Sequence, residues 1–209
     1  MNFGERLRRD FSTVTLVLIP VAIAINVVIG QIVALLKLPV YLDSIGTVLV
    51  AILAGPWAGA LTGTLSNIIW GITIDPNALP WFPVALLIGL TAGICANYGW
   101  FKTWWGVLLS GVIIAFVAAI ASAFINVALY GGITASGSSF LTAYLLASGR
   151  GLIESVLATN FIFEPIDKIA TCFLAWAVVK GLSSRYVARF PRAENVLAAP
   201  ATSATYARR

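Results

Sequence analysis

The sequence contains no histidine, and charged residues occupy only 10% of its 209 positions. The absence of histidine excludes Ser–His–Asp triads, histidine-ligated zinc or haem, and the most common general base of enzymes. Soluble domains contain about 25% charged residues and about 45–50% apolar residues, whereas apolar residues reach 60% here. A soluble fold of this length cannot hide that much apolar surface from water. The composition therefore predicts an integral membrane protein.

Other chemical groups are scarce as well. The two cysteines, Cys95 and Cys172, lie in separate apolar stretches and form neither a CxxC motif nor a disulfide framework. No glycine-rich phosphate loop, Ser–Lys pair or pair of aspartates in neighbouring spans is present. We therefore expect a protein that is not an enzyme, with no cofactor and no resident metal. The chain also lacks the inverted repeat of many secondary transporters.

Long uncharged stretches predict an all-α, polytopic membrane bundle, because about 20 apolar residues suffice to cross a bilayer. Gly55-Pro56 predicts a turn that separates the second helix from the third. Pro165 predicts the first turn of the last helix, with Asn160 or Glu164 near its N-terminus. A re-entrant hairpin over residues 42–74, with four true spans, remains an alternative. We predict six transmembrane helices at about residues 11–36, 42–54, 57–74, 81–96, 106–130 and 169–179.

The distribution of lysine and arginine predicts that both termini are cytoplasmic. The net charge of +5 is accordingly attributed to membrane anchoring rather than to nucleic acid. We expect a basic cytoplasmic segment over residues 1–10, a membrane domain over 11–184, and a basic, disordered cytoplasmic tail over 185–209. No cleavable signal peptide is evident. The basic residues on the predicted inner side are Arg6, Arg8, Arg9, Lys102, Lys180, Arg185, Arg189 and Arg192.

Polar and aromatic side chains converge on the predicted outer side, where ionisable groups near the membrane usually line a cavity or pair with one another. Aromatic walls with a few hydrogen-bonding groups are typical of a small-molecule pocket. Three carboxylates, those of Asp43, Glu164 and Asp167, outnumber the one amine of Lys168 among these side chains. This excess of negative charge favours a neutral or cationic ligand over an anion. The loop over residues 131–139, rich in glycine and serine, is a candidate lid. The predicted substrate-binding residues are Asp43, Asn67, Trp70, Trp81, Asn126, Tyr130, Glu164, Asp167 and Lys168.

Each of these residues also has a purely structural interpretation. Asp43 and Asp167 are favoured near helix N-termini, and Glu164 with Lys168 forms a common i, i+4 ion pair. The aromatic residues are typical of an interfacial belt. Asn67 and Asn126 are typical of hydrogen bonds between membrane helices.

Small residues form stripes on two predicted helices, and such stripes let helix backbones approach closely in lipid. On the first helix, Ala22, Asn26 and Gly30 are predicted to dock a partner membrane protein. The fifth helix carries a second, regular stripe, formed by Gly111, Ala115, Ala119 and Ala123. Internal packing of the bundle is the alternative for both stripes.

Three stretches resemble the substrate-binding S components of bacterial energy-coupling-factor (ECF) transporters. These stretches are Leu38-Pro-Val-Tyr-Leu-Asp-Ser-Ile-Gly-Thr47, Leu53-Ala-Gly-Pro-Trp-Ala-Gly-Ala60 and Thr64-Leu-Ser-Asn-Ile-Ile-Trp70, and Glu164-Pro-Ile-Asp-Lys168 is similar as well. The resemblance implies a multi-pass protein of the bacterial cytoplasmic membrane. Such a protein captures a vitamin or related micronutrient from outside for uptake, together with a transmembrane coupling protein and two cytoplasmic ATPases.

The resemblance also implies docking of the coupling protein through an Ala-x-x-x-Ala motif on the first helix. This chain has Ala22-Ile-Ala-Ile-Asn26 there, so asparagine replaces the second alanine. That replacement leaves an alternative open: an accessory subunit or sensor of a larger membrane complex that does not transport. The family's nickel and cobalt subunits are expected to use an N-terminal histidine, so a metal cargo is not expected here.

Overall fold

The computed structural model describes residues 3–197, and this part of the chain consists of helices joined by turns and loops, with no β-strand. The predicted all-α fold is therefore confirmed. Residues 1–2 and 198–209, which belong to the predicted terminal segments, lie outside the described residues. The α-helices of residues 3–197 are α1 (Phe3–Asp10), α2 (Thr13–Leu35), α3 (Ile45–Ala54), α4 (Pro56–Thr73), α5 (Phe82–Asn97), α6 (Trp104–Tyr130), α7 (Ser139–Ala147), α8 (Leu152–Gly181) and α9 (Ser184–Val187).

Three helical stretches of the described chain are long and apolar enough to cross a bilayer: Thr13–Leu35, Pro76–Asn97 and Trp104–Tyr130. The second of these stretches joins a 3-10 turn, Pro76–Trp81, to α5. The shorter helix α3 has ten residues, which correspond to about 15 Å at the α-helical rise. Together these helices form a multi-pass membrane protein.

The predicted break at Gly55-Pro56 is confirmed, because α3 ends at Ala54 and α4 begins at Pro56. Gly55 has a φ of 113°, in a region that residues with a side chain rarely adopt. Proline fits the first position of a helix, where its missing N–H has no intrahelical partner. The chain therefore reverses direction sharply between α3 and α4.

The centre of the bundle is α3, whose residues are all buried. It packs against α2, α4, α5 and α8. An α-helix that is apolar on every side requires such an enclosed position. Close packing is visible at Gly46, where a Cβ would overlap the backbone of Ala22 in α2.

The two small-residue stripes face the interior of the bundle. Gly111 in α6 packs so closely against α8 that a Cβ there would come within 2.8 Å of Ile169 Cα. On α2, Ala22 and Asn26 are almost fully buried, and a Cβ on Gly30 would come within 2.6 Å of the Trp70 ring. The residues predicted to dock a partner are thus placed against α3 and α4. Their burial favours internal packing, and the lipid-facing surface of α2 is formed by other residues.

The last long helix differs from the sequence prediction. We predict a helix that begins near Glu164, but α8 begins at Leu152 and includes Pro165 in its interior. Glu164, Asp167 and Lys168 therefore lie near the middle of a 30-residue helix rather than in its outermost turns. In the sequence, Pro165 and the neighbouring charges are typical of a helix start. In the fold, these charges pair with one another inside the bundle.

Residues 184–197 pack against the bundle, although the sequence predicts a disordered tail from residue 185. Val187, Phe190 and Val196 are buried in the apolar core. Asn195 Nδ2 donates to the Ile52 carbonyl at 3.0 Å, and the Arg192 backbone N–H donates to the Leu53 carbonyl at 3.0 Å. We call residues 184–197 the C-terminal strap.

Candidate functional site

A cavity of about 430 Å³ lies between the helices, at the end of the bundle where α2, α4 and α6 end. The connection between α2 and α3 and the loop after α6 form part of its wall. Pockets for small organic molecules have volumes of about 300–1,000 Å³. The cavity therefore has room for a small organic molecule.

Three aromatic rings line the cavity, and hydrogen bonds or stacking within the protein fix their orientation. Trp70 Nε1 donates to Gln31 Oε1 at 2.9 Å. Trp81 and Tyr130 stack with their ring centroids 5.6 Å apart and their planes 9° from parallel, and the Tyr130 hydroxyl donates to the Asn77 carbonyl at 3.0 Å. The three rings provide flat apolar surfaces whose positions are set before any ligand arrives.

A buried cluster of charges from α8 also borders the cavity, through Glu164 and Lys168. Lys168 Nζ lies 3.4 Å from Glu164 Oε2 and forms a second ion pair with Asp167. The exposed fraction of each of these three side chains is 5% or less. Burial of charge is costly unless the charges are paired, so the two carboxylates stabilise the lysine in this position.

Asp167 connects this charge cluster to the α2–α3 connection. Its Oδ1 accepts hydrogen bonds from the backbone N–H groups of Tyr41 at 2.8 Å and Leu42 at 2.7 Å. Leu42 has a φ of 50°, which is uncommon for a residue with a branched side chain. Burial, and secondarily Glu164, raises the pKa of Tyr41 to about 12. Tyr41 therefore stays neutral beside the carboxylates, with its ring 5.5 Å from Lys168 Nζ.

Three buried asparagines add amide groups. Asn160 Nδ2 donates to the Ala119 carbonyl at 3.1 Å and to Ser122 Oγ at 3.0 Å, which leaves its carbonyl oxygen for another partner. Asn67 Nδ2 donates to the Gly63 carbonyl at 3.4 Å. Within the described chain, Asn126 Oδ1 and Glu164 Oε2 have no hydrogen-bond partner. Buried polar atoms are nearly always hydrogen-bonded, so these two oxygens are candidates for contact with a ligand.

The structure brings eight of the nine predicted substrate-binding residues to the cavity wall, and their role in binding stays a prediction. Asp167 is the exception, because it lies behind the wall and holds Lys168 and the α2–α3 connection. The eight residues at the wall are Asp43, Asn67, Trp70, Trp81, Asn126, Tyr130, Glu164 and Lys168.

The lining residues that were not predicted include Gln31, Tyr41, Ser122 and Asn160. A signal for Asn160 exists in the sequence, since Asn160, Glu164 and Lys168 are spaced four residues apart and share one face of a helix. The predicted helix start at Pro165 concealed this spacing.

The loop after α6, predicted as a lid, contacts the α2–α3 connection. Ser138 Oγ lies 3.0 Å from the Tyr41 hydroxyl, and a Cβ on Gly137 would overlap the Lys37 carbonyl. These two segments thus meet beside the cavity, and both contribute lining residues.

Fold and site together define a multi-pass membrane protein with an internal cavity lined by aromatic rings, amides and paired charges. Residues 14–179 match the family model of the ECF transporter substrate-specific component. The chain belongs to this family, and the resemblance seen in the sequence is confirmed. Comparisons with curated proteins and with solved structures give no match. Family membership assigns the chain a role in substrate binding for ECF-type transport.

Proposed function

We propose that this protein captures a vitamin-like organic micronutrient from outside a bacterial cytoplasmic membrane and presents it for uptake by an ECF-type transporter. The observation that carries the proposal is the 430 Å³ cavity within the segment that matches the substrate-specific component. Its partners are a transmembrane coupling protein and a pair of cytoplasmic ATPases. The protein itself has the binding site, and the partners supply the energy.

The cavity chemistry supports an organic ligand. Trp70, Trp81 and Tyr130 offer ring surfaces for stacking, and Asn126 and Glu164 offer polar atoms for hydrogen bonds. Such a mixture of apolar walls with a few fixed polar groups is typical of small-molecule sites.

The bundle also supports six membrane segments with cytoplasmic termini. The turn between α3 and α4 contacts Asp10, whose Oδ2 accepts from the Trp57 backbone N–H at 3.3 Å. Asp10 also binds Arg192 of the C-terminal strap, with 2.8 Å between Arg192 Nη2 and Asp10 Oδ1. The α3–α4 turn thus lies near both described chain ends, whereas α3 begins at the cavity. This arrangement favours two complete crossings by residues 36–73, in which the α2–α3 connection adds to the length of the ten-residue α3, over the re-entrant hairpin.

The test is to purify the full chain from native membranes and to identify by mass spectrometry the compounds and proteins that accompany it. We expect one small organic compound, together with ATPases and a coupling protein. Trp70→Ala should lose the compound, because it removes a wall of the cavity. The matched control is Trp105→Ala, since Trp105 is exposed and does not line the cavity; this variant should retain the compound.

Two results would contradict the proposal. Stable association with an unrelated membrane complex, without ATPases and without a bound compound, would favour the accessory subunit. Equal retention of the compound by Trp70→Ala and Trp105→Ala would place the binding site outside the cavity.

A further inference from the structure

Some polar atoms of the residues that line the cavity already have hydrogen-bond partners within the protein and others do not, and this difference bears on the chemistry of the ligand. Several donors already have acceptors within the protein. Trp70 Nε1 donates to Gln31, the Tyr130 hydroxyl donates to the Asn77 carbonyl, and Asn160 Nδ2 donates to Ala119 and Ser122. The Lys168 ammonium is held by Asp167 and Glu164. These donors are not free for a ligand unless a bond within the protein breaks.

Two acceptor atoms of lining residues are buried without a hydrogen bond. Asn126 Oδ1 is buried and has no hydrogen-bond partner within residues 3–197; Glu164 Oε2 also accepts no hydrogen bond there, and its one charged neighbour is the Lys168 ammonium at 3.4 Å. Both residues line the cavity. The exposed fractions of Asn126 and Glu164 are 8% and 4%. An acceptor buried without a donor is unfavourable, so a ligand that supplies N–H groups relieves that cost.

The charges favour the same kind of ligand. Asp43 and Glu164 line the cavity and Asp167 lies behind its wall, so three carboxyl groups surround the single ammonium of Lys168. Farther out, Lys37 and Asp75 also line the cavity and carry opposite charges. The aromatic rings of Trp70 and Trp81 can attract a cation as well.

We propose that the cavity binds a flat, cationic nitrogen heterocycle whose N–H donor is directed at Glu164 and Asn126 and whose ring lies against Trp70 and Trp81. This inference rests on the proposed role of the cavity in substrate binding. It assigns one chemical class of ligand, and it assigns the orientation of that ligand relative to α6 and α8.

The test uses three bicyclic compounds that share a ring system and differ in one substituent. They are 4-aminoquinoline, a cation with N–H donors; 4-methylquinoline, a neutral compound without an N–H donor; and quinoline-4-carboxylate, an anion. Calorimetry with the purified full chain should show the tightest binding for 4-aminoquinoline. This ranking is measured on the wild type, so it does not depend on whether any variant folds.

Substitutions at Glu164 and Asn126 test whether these two residues contact the ligand. Glu164→Gln should weaken binding of 4-aminoquinoline by about tenfold to a hundredfold, as expected when a hydrogen bond to a charged group is lost. Asn126→Leu provides a second, independent removal of an acceptor. Glu154→Gln is the matched control, because Glu154 lies on the same helix but pairs with Arg150 at the surface. A thermal melt of each variant verifies that it is folded.

The outcomes separate this inference from the proposed function. Tighter binding of the carboxylate, or equal binding of 4-methylquinoline and 4-aminoquinoline, would overturn the cationic-donor inference and leave a binding cavity in place. The same holds if the compound that accompanies the purified protein is an anion without N–H donors. If none of the three compounds binds and no compound accompanies the protein, both proposals are overturned.

Discussion

Asn26 shows how one buried polar side chain connects three helices. Its Nδ2 donates to Thr47 Oγ1 on α3 and to Ser66 Oγ on α4, each at 2.9 Å. Its Oδ1 accepts from the Gly46 backbone N–H at 2.7 Å. Gly46 lies in the first turn of α3, where backbone N–H groups have no intrahelical partner. Asn26 therefore caps α3 from a neighbouring helix.

We predict that Asn26→Ala lowers the free energy of unfolding by about 1–3 kcal/mol, because it leaves buried polar groups without partners. The substitution also restores the Ala-x-x-x-Ala pattern at residues 22–26. Chemical unfolding in detergent measures the change. Asn97→Ala is the control, since Asn97 is exposed at the end of α5; it should unfold like the wild type. Equal stability of the two variants would contradict the capping role of Asn26.

At the scale of helices, local signals predict some boundaries and miss others. Gly55-Pro56 defines the end of α3 and the start of α4, because the positive φ of Gly55 and the missing N–H of Pro56 act on the chain locally. The start of α8 depends on distant partners instead. Glu164 and Lys168 are stable in mid-helix only because they pair with one another and with Asp167, and Asp167 in turn binds the distant backbone of Tyr41 and Leu42.

The C-terminal strap is a second element that the sequence does not predict. Its composition resembles a solvated tail, but Arg192 contacts the buried carboxylate of Asp10, which lies 182 residues away in the chain. Burial raises the pKa of Asp10 above its usual value, and the Arg192 guanidinium opposes that shift. The strap is thus held to the bundle by an ion pair as well as by buried apolar side chains.

We predict that Arg192→Ala releases the strap, because removal of one partner leaves a buried charge uncompensated. The cost of breaking a buried pair is about 3 kcal/mol or more. Limited proteolysis with trypsin, scored as cleavage after Arg185, should be clearly faster than in the wild type. Arg189→Ala, which removes an exposed arginine of the same strap, should leave that rate unchanged. An unchanged rate in Arg192→Ala would show that the other contacts hold the strap without this ion pair.

At the scale of the whole molecule, the apolar stretches predict most of the fold. Eight predicted site residues line one cavity because the charges and amides of a membrane protein collect where they can pair. The role of Asp167 and the contributions of Gln31 and Tyr41 could not be predicted, since each depends on contacts between segments far apart in the chain. The sequence likewise does not show that Ala22, Asn26 and Gly30 face the interior.

The orientation of the molecule in the membrane can be tested by labelling single cysteines in a Cys95→Ala, Cys172→Ala background. Ser148 and Pro76 are exposed at the cavity end, and Lys102 and Arg185 are exposed near the opposite end. Because lysine and arginine favour the cytoplasmic side, we predict that an impermeant maleimide labels Ser148→Cys and Pro76→Cys in intact cells. Lys102→Cys and Arg185→Cys should react only after permeabilisation. Labelling of Lys102→Cys in intact cells would place the cavity on the cytoplasmic side, where it could not capture a nutrient from outside.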